Sequence, residues 1–155
     1  ALVGDQKMNK APAQNACPFC DFIRHGHPVA EQGTFVAKYD RYPVSRGHTL
    51  LIPKRHVETL FALNEDELKD FFDLLLEVRN VIDCEFSPDG FNIGVNMGAA
   101  AGQTIAHLHI HVIPRYIGDV ENPTGGVRGV IPGRADYLSN DHNRASLHSR
   151  DECLG

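Results

Sequence analysis

Three histidines carry the clearest chemical signal in the chain. In Gln103-Thr104-Ile105-Ala106-His107-Leu108-His109-Ile110-His111-Val112-Ile113-Pro114-Arg115 they alternate with aliphatic residues, the period-2 pattern of a strand buried on one face. On such a strand His107, His109 and His111 point one way, and Leu108, Ile110 and Val112 the other. Same-side neighbours then stand roughly 6–7 Å apart, from ~3.3 Å of rise per residue. That is too wide for one metal ion on a straight strand. It suits a row of imidazoles meeting different atoms of an extended ligand. A merely solvated face would be built more simply from Thr, Lys and Glu. A neutral imidazole attacks as a nucleophile near neutral pH and leaves readily once protonated.

Cys17-Pro18-Phe19-Cys20 is the second chemical motif. It has three readings: half of a zinc site, a redox dithiol, or two unrelated core thiols. The redox reading needs a strand running into the first cysteine, and Gln14-Asn15-Ala16 is no strand. The zinc reading needs two further ligands, and histidines are available. Two other stretches bear on a site. Lys54-Arg55-His56 sets a basic pair and a histidine at a strand end, where a solvated turn is the plainer role for the two cations. Asn96-Met97-Gly98-Ala99-Ala100-Ala101-Gly102 is a loop of small residues leading into the histidines. Small residues let a ligand approach the backbone closely, and successive amides there can cradle an anion.

The elements that must position these groups follow from periodicity. Pro18 to Arg24 is expected as a short helix, ended by Gly26 and Pro28. Residues 33–40 and 48–52 read as two strands of a hairpin, turned through Pro43 and Gly47 and stopped by Pro53. Asn64 caps a long amphipathic helix, with Glu65, Asp66 and Glu67 in its first turn. Leu68, Phe71, Phe72, Leu75, Val78, Val81 and Ile82 form its expected core stripe, and Cys84 at its end is expected to pack. Residues 91–96 read as a further strand. Beyond Arg115 the chain is rich in Gly and Pro around Arg128, and its last stretch, with His142 and His148, has no firm period.

With 155 residues, 42% hydrophobic and 23% charged, the chain is expected to be one globular domain. A net charge of -5 argues against a broad nucleic-acid surface. No apolar run approaches the ~20 residues of a membrane span. Residues 1–16 lack the apolar core of a secretory signal and read as a flexible leader. Cys17, Cys20, Cys84 and Cys153 are then expected as thiols or metal ligands in a cytoplasmic protein rather than as disulfides.

At the level of ordered motifs the chain resembles the histidine-triad nucleotide hydrolases and transferases. The resemblance rests on His107-x-His109-x-His111 with its apolar flank, the front Cys-x-x-Cys, and Gly47-His48-Thr49-Leu50. It includes Ile52-Pro53-Lys54-Arg55-His56, Asn96-x-Gly98 and Gly102-Gln103-Thr104. It implies an α+β fold, an antiparallel sheet of about five strands with one long helix packed on it, spanning residues 17–135 ahead of an extension at 136–155. It implies a homodimer and a nucleotide substrate with no nucleic-acid or membrane partner. By the same resemblance His109 is the nucleophile toward the α-phosphate of a purine nucleotide, adenine first. His111 bonds the phosphate or leaving group, and His48 supports the proton network. Gln103 and Thr104 donate to the phosphate, Asp40 grips the ribose, and Asn96 and Gly102 complete the substrate loop. The zinc branch of the family supplies a structural site of Cys17, Cys20, His56 and His107.

The substrates so implied are dinucleoside polyphosphates or nucleoside phosphoramidates. Four alternatives stand beside a hydrolase: a dinucleoside polyphosphate phosphorylase, a nucleotide-binding regulator with incidental hydrolysis, a metalloenzyme with all three histidines on one ion, and a dithiol oxidoreductase.

Overall fold

The computed structural model describes residues 16–138. Within them two helices and five strands follow the order α1 (Pro18–His25), β1 (Ala30–Gln32), β2 (Phe35–Tyr39), β3 (Thr49–Pro53), α2 (Glu65–Phe86), β4 (Gly90–Val95) and β5 (Ile110–Arg115). The strands form one antiparallel sheet in the order β1-β2-β3-β5-β4. This is the expected α+β architecture. Most of the expected leader, residues 139–155 of the expected extension, and with them His142, His148 and Cys153, lie outside the described residues.

Strand β3, Thr-Leu-Leu-Ile-Pro, is buried at every position. Its apolar run is continuous because both faces are covered. Leu51 joins the cluster under α2, with Phe35, Leu74, Val78 and Ile82. Leu50 and Ile52 join the opposite cluster with Cys17 and Phe19 of the N-terminal segment. The chemistry sits on this second face.

Helix α2 begins with a reciprocal cap. The Asn64 side chain accepts from the Glu67 amide at 2.9 Å, and Glu67 Oε2 accepts from the Asn64 amide at 2.9 Å. Its buried residues are Glu67, Phe71, Leu74, Val78 and Ile82. The stripe is therefore narrower than expected. Leu68 is 38% exposed and Phe72 59%. At about 100° per residue, Phe72 and Cys84 fall about 120° from the centre of that stripe. Cys84 is accordingly exposed rather than packed.

Two strand expectations also change. β1, Ala-Glu-Gln, was not anticipated; it pairs with β2 through a turn at Gly33 and Thr34. Gly33 has φ +49°, and a Cβ there would run into the Asp70 carboxylate. That carboxylate accepts from the Thr34 amide and hydroxyl, each at 2.8 Å, fastening the hairpin to α2. The histidine strand is shorter than its alternation suggests, since β5 begins only at Ile110. β4 ends opposite Ile110, and β3, though it continues to Pro53 beside β2, pairs with β5 no further than Leu51. The alternation survives without the ladder. Leu108, Ile110 and Val112 enter the core under α2, while the three imidazoles lie on the other face.

The described residues divide into two compact units, one ending at Tyr116 and one beginning at Ile117. Within the second, Asn122 Nδ2 donates to Asp136 at 2.9 Å and the Arg128 guanidinium lies over Tyr137. No described helix is long and apolar enough to cross a membrane.

Candidate active site and metal centre

Four donors converge behind the sheet. Cys17 Sγ lies 3.4 Å and Cys20 Sγ 3.5 Å from His107 Nδ1, and Cys20 Sγ lies 3.2 Å from His56 Nδ1. All four donor atoms fall within 4.8 Å of one another. Zinc bonds of about 2.3 Å to sulfur and 2.0 Å to nitrogen give tetrahedral S···N edges of about 3.5 Å. The separations seen match that edge. The His107 tautomer suits the role as well. Its Nε2–H donates to the Pro53 carbonyl at 2.8 Å, which leaves Nδ1 with its lone pair toward the thiols, the arrangement usual for a metal-bound imidazole. Burial, and then Cys17 beside it, push the Cys20 thiol above its ordinary range. A divalent cation between the two sulfurs would reverse that.

His109 starts a separate arrangement. Its Nδ1–H donates to the His107 carbonyl at 2.9 Å, so Nε2 keeps the lone pair. Phe19, inside the Cys-x-x-Cys segment, packs on this ring at 4.9 Å and on His107 at 5.8 Å. The His109 ring is thus held from below by the His107 carbonyl and from the side by an aromatic ring.

A chain of directed hydrogen bonds runs past it. The Val44 amide donates to His48 Nδ1 at 3.3 Å, so His48 carries its proton on Nε2. That Nε2 lies 3.0 Å from His111 Nδ1 and 3.6 Å from Asp40 Oδ2. With Nδ1 accepting, His111 must carry its proton on Nε2, a buried atom with no partner among the described residues. Burial pushes both imidazoles below the ordinary histidine range. For His111, His109 and His48 add to this; Asp40 pulls the other way on both. They are neutral at pH 7, as the tautomer chain requires.

These groups open on a cavity of about 690 Å³ whose lining includes Phe19, Phe22, Asp40, Leu50, His109 and His111. Thr104 lines it too. Asp40 Oδ1 accepts from the Tyr42 amide at 2.9 Å. Gln103 is placed differently. Its Oε1 accepts from the Gly98 amide at 2.8 Å and its Nε2 donates to the Glu58 carbonyl at 3.0 Å. Both ends of its amide brace the small-residue loop. Gly102, at φ +85°, closes the short 3₁₀ turn Ala99–Ala101 within that loop, and Asn96 follows the end of β4. The basic pair after β3 faces elsewhere: Lys54 pairs with Glu31, and Arg55 forms a two-pronged bond to Glu67 at 2.8 and 2.7 Å. Phe19 and Lys38, both on the cavity, were not anticipated as site residues. Lys38 could have been found from its place two residues before Asp40 on one strand face.

The HIT domain family model matches residues 25–118. An Arabidopsis thaliana protein named adenylylsulfatase HINT3 is 39% identical over 72% of this chain, which spans only 58% of that relative's length. A Mycobacterium tuberculosis AP-4-A phosphorylase is 32% identical, covering 84% of this chain and 71% of that one. Among solved structures, a Zn-bound histidine triad family protein from Mycobacterium smegmatis aligns with a TM-score of 0.62 at 32% identity, over 69% of this chain and 80% of that one.

Proposed function

This chain belongs to the HIT domain family, and on that premise we propose that it hydrolyses a purine nucleotide at its α-phosphate through a covalent nucleotidyl-histidine on His109. One observation carries the reading. The His109 tautomer leaves Nε2 as a lone pair at a cavity that His111 also lines, with an unpartnered Nε2–H. Nucleophile and donor would then meet one phosphoryl group held in that cavity.

In the first step the His109 Nε2–P bond forms as the bond from phosphorus to the leaving group breaks. His111 Nε2–H bonds the departing oxygen or nitrogen, and His48 holds His111 in the donating tautomer. In the second step water attacks phosphorus and gives its proton to His111 Nε2, which gave its own to the leaving group in the first, as the N–P bond breaks and the nucleoside monophosphate leaves. Asp40 and Thr104 are proposed to position the ribose and phosphate. Asn96, Gly102 and Gln103 are proposed to bind substrate as well, through the small-residue loop beside them. Dinucleoside polyphosphates and nucleoside phosphoramidates are the proposed substrates, within a domain spanning 17–135 of a cytoplasmic protein. A panel of such nucleotides, with products identified by mass spectrometry, tests the reading. Absence of any nucleoside monophosphate product overturns it.

Phosphorylysis is the second reading, favoured by the similarity to the mycobacterial phosphorylase. Phosphate in place of water would give a nucleoside diphosphate, so added phosphate that shifts the product from mono- to diphosphate decides for it.

Zinc is proposed on Cys17, Cys20, His56 and His107. Two sulfurs and two nitrogens close a tetrahedron, so the ion would supply structure and leave no position for substrate. A homodimer is also proposed, supported by the open edge of β4, where Ile93 is exposed, and by exposed Phe72 and Leu76 on α2. Light scattering at micromolar concentration that returns 17.1 kDa, the mass of one chain, overturns it.

A further inference from the structure

Lys38 lines the cavity with its Nζ 4.5 Å from the centroid of the Phe22 ring. Its side chain makes no ion pair or hydrogen bond among the described residues. The ring face keeps the ammonium at the cavity wall by cation–π attraction. It is a donor held in place and lacking an acceptor among the described residues.

Sheet register fixes how far it stands from the chemistry. Lys38 pairs with Leu50 across β2 and β3, and Leu50 with His111 across β3 and β5. Directly opposed residues in antiparallel strands share a face, so the three form one row. At ~4.8 Å between neighbouring strands, Lys38 stands about 10 Å from His111. That is the reach of a nucleotide from its α-phosphate to the outer edge of its base. Asp40, two residues further along the chain, lies beside His48 and so on the phosphate side of Lys38. Phe19, Phe22, Leu50 and Ile105 give the intervening cavity apolar walls suited to a flat ring.

The other charged groups around the cavity are disposed differently. Asp21 is exposed and lies 3.9 Å from Arg24 and 4.0 Å from His25. Asp40 is turned to the Tyr42 amide and His48. Arg41 is exposed at the rim, over the Tyr42 ring. Lys38 is the partly buried cation on the wall where a base would lie.

An ammonium has donors only. The outer edge of guanine offers two acceptors, O6 and N7, and hypoxanthine offers the same pair. Adenine offers N7 next to an amino group that itself donates. Facing a 6-oxopurine, Lys38 finds the acceptor it lacks. Facing adenine, two donors oppose each other. We infer that Lys38 selects 6-oxopurine nucleotides, those of guanine or hypoxanthine, over adenine nucleotides. The inference rests on the nucleotide reading above and reverses the adenine preference that the family resemblance implied.

The test is calorimetric binding of GMP, IMP and AMP to the full chain. Wild type is expected to hold GMP and IMP roughly five- to tenfold more tightly than AMP, the lower part of the range for one polar base contact at a partly exposed site. Lys38→Met should abolish the difference by weakening GMP and IMP while leaving AMP alone. Lys38→Gln, which can accept from N6 and donate to N7, should turn the preference toward AMP. Arg41→Met should move all three ligands alike. Equal affinity of the wild type for the three nucleotides overturns the selectivity and leaves the nucleotide reading standing, and this comparison needs no variant to fold. Lys38→Met weakening all three equally would place the lysine on phosphate and also overturn it. If none of the three binds at millimolar concentration, the nucleotide reading falls together with the inference.

Discussion

His48 Nε2 stands 3.0 Å from His111 Nδ1, and the proton between them is carried by His48. The direction of that one bond decides what His111 presents to the cavity. Reversed, it would leave His111 Nε2 a lone pair aimed at an anion. As it is, a phosphoryl or leaving-group atom meets a donor. His111→Asn should therefore slow turnover by roughly a hundredfold, the usual worth of a positioned proton donor. Single-turnover rates check this. A change confined to KM would show that His111 only binds.

His109→Asn should fold and bind nucleotide while losing turnover by roughly 10⁴-fold or more, because a nucleophile acts on the chemical step. Rapid quenching with a labelled substrate, avoiding acid, should trap the nucleotidyl group on His109 in the wild type. A label on any other residue removes His109 from the role.

The same buried imidazoles make stability depend on pH. His48 and His111 are held below the ordinary histidine value of 6.5 in the folded chain. Below that value the unfolded chain binds more protons than the folded one, so stability rises with pH toward 6.5 and is level above it. The urea midpoint should climb between about pH 5 and 6.5 and flatten by about pH 7. His111→Asn should make the climb shallower. An unchanged slope in that variant would show that His111 is not one of the groups responsible.

Purified protein is expected to hold about one zinc per chain. Cys17→Ser should lower that stoichiometry and destabilise the fold by about 3 kcal/mol, or roughly 10 °C in Tm. Elemental analysis beside calorimetry reads both. Metal-free protein with wild-type Tm argues decisively against the site.

Arg55→Met tests the capping network without touching the chemistry. It leaves the Glu67 carboxylate, whose side chain is 5% exposed, with the Asn64 amide alone. A buried charge deprived of its partner should cost about 2 kcal/mol at pH 7. Denaturant midpoints measure it.

Parts of this arrangement are legible in the residues and parts are not. Helix α2 can be read directly, since Asn64 and Glu67 cap each other and its apolar residues recur at helical spacing. The width of its buried stripe cannot, because Leu68 and Phe72 have the right type and only packing decides which flank stays wet. β1 is three residues of no distinctive pattern, made a strand by the turn at Gly33 and its anchor on Asp70. The proposed metal donors are legible as residue types, but pairing positions 17 and 20 with 56 and 107 needs a family likeness or a structure. Gln103 shows the same limit. Its amide could serve a ligand or a loop, and only the fold shows its two ends on the Gly98 amide and the Glu58 carbonyl. Lys38 becomes informative only once the register places it in one row with His111.

The four sulfur and nitrogen donors also bear on how the chain finds its fold. Cys17 and His107 are 90 residues apart, and Cys20 and His56 are 36 apart. Closing a flexible loop costs entropy that grows only as about (3/2)RT ln n, but a sheet with such distant partners must meet that cost before its own contacts offset it. An ion that captured these side chains early would draw the N-terminal segment, the turn after β3 and the approach to β5 together ahead of strand pairing. Refolding would then run faster with metal supplied at the outset than with metal added to the finished chain.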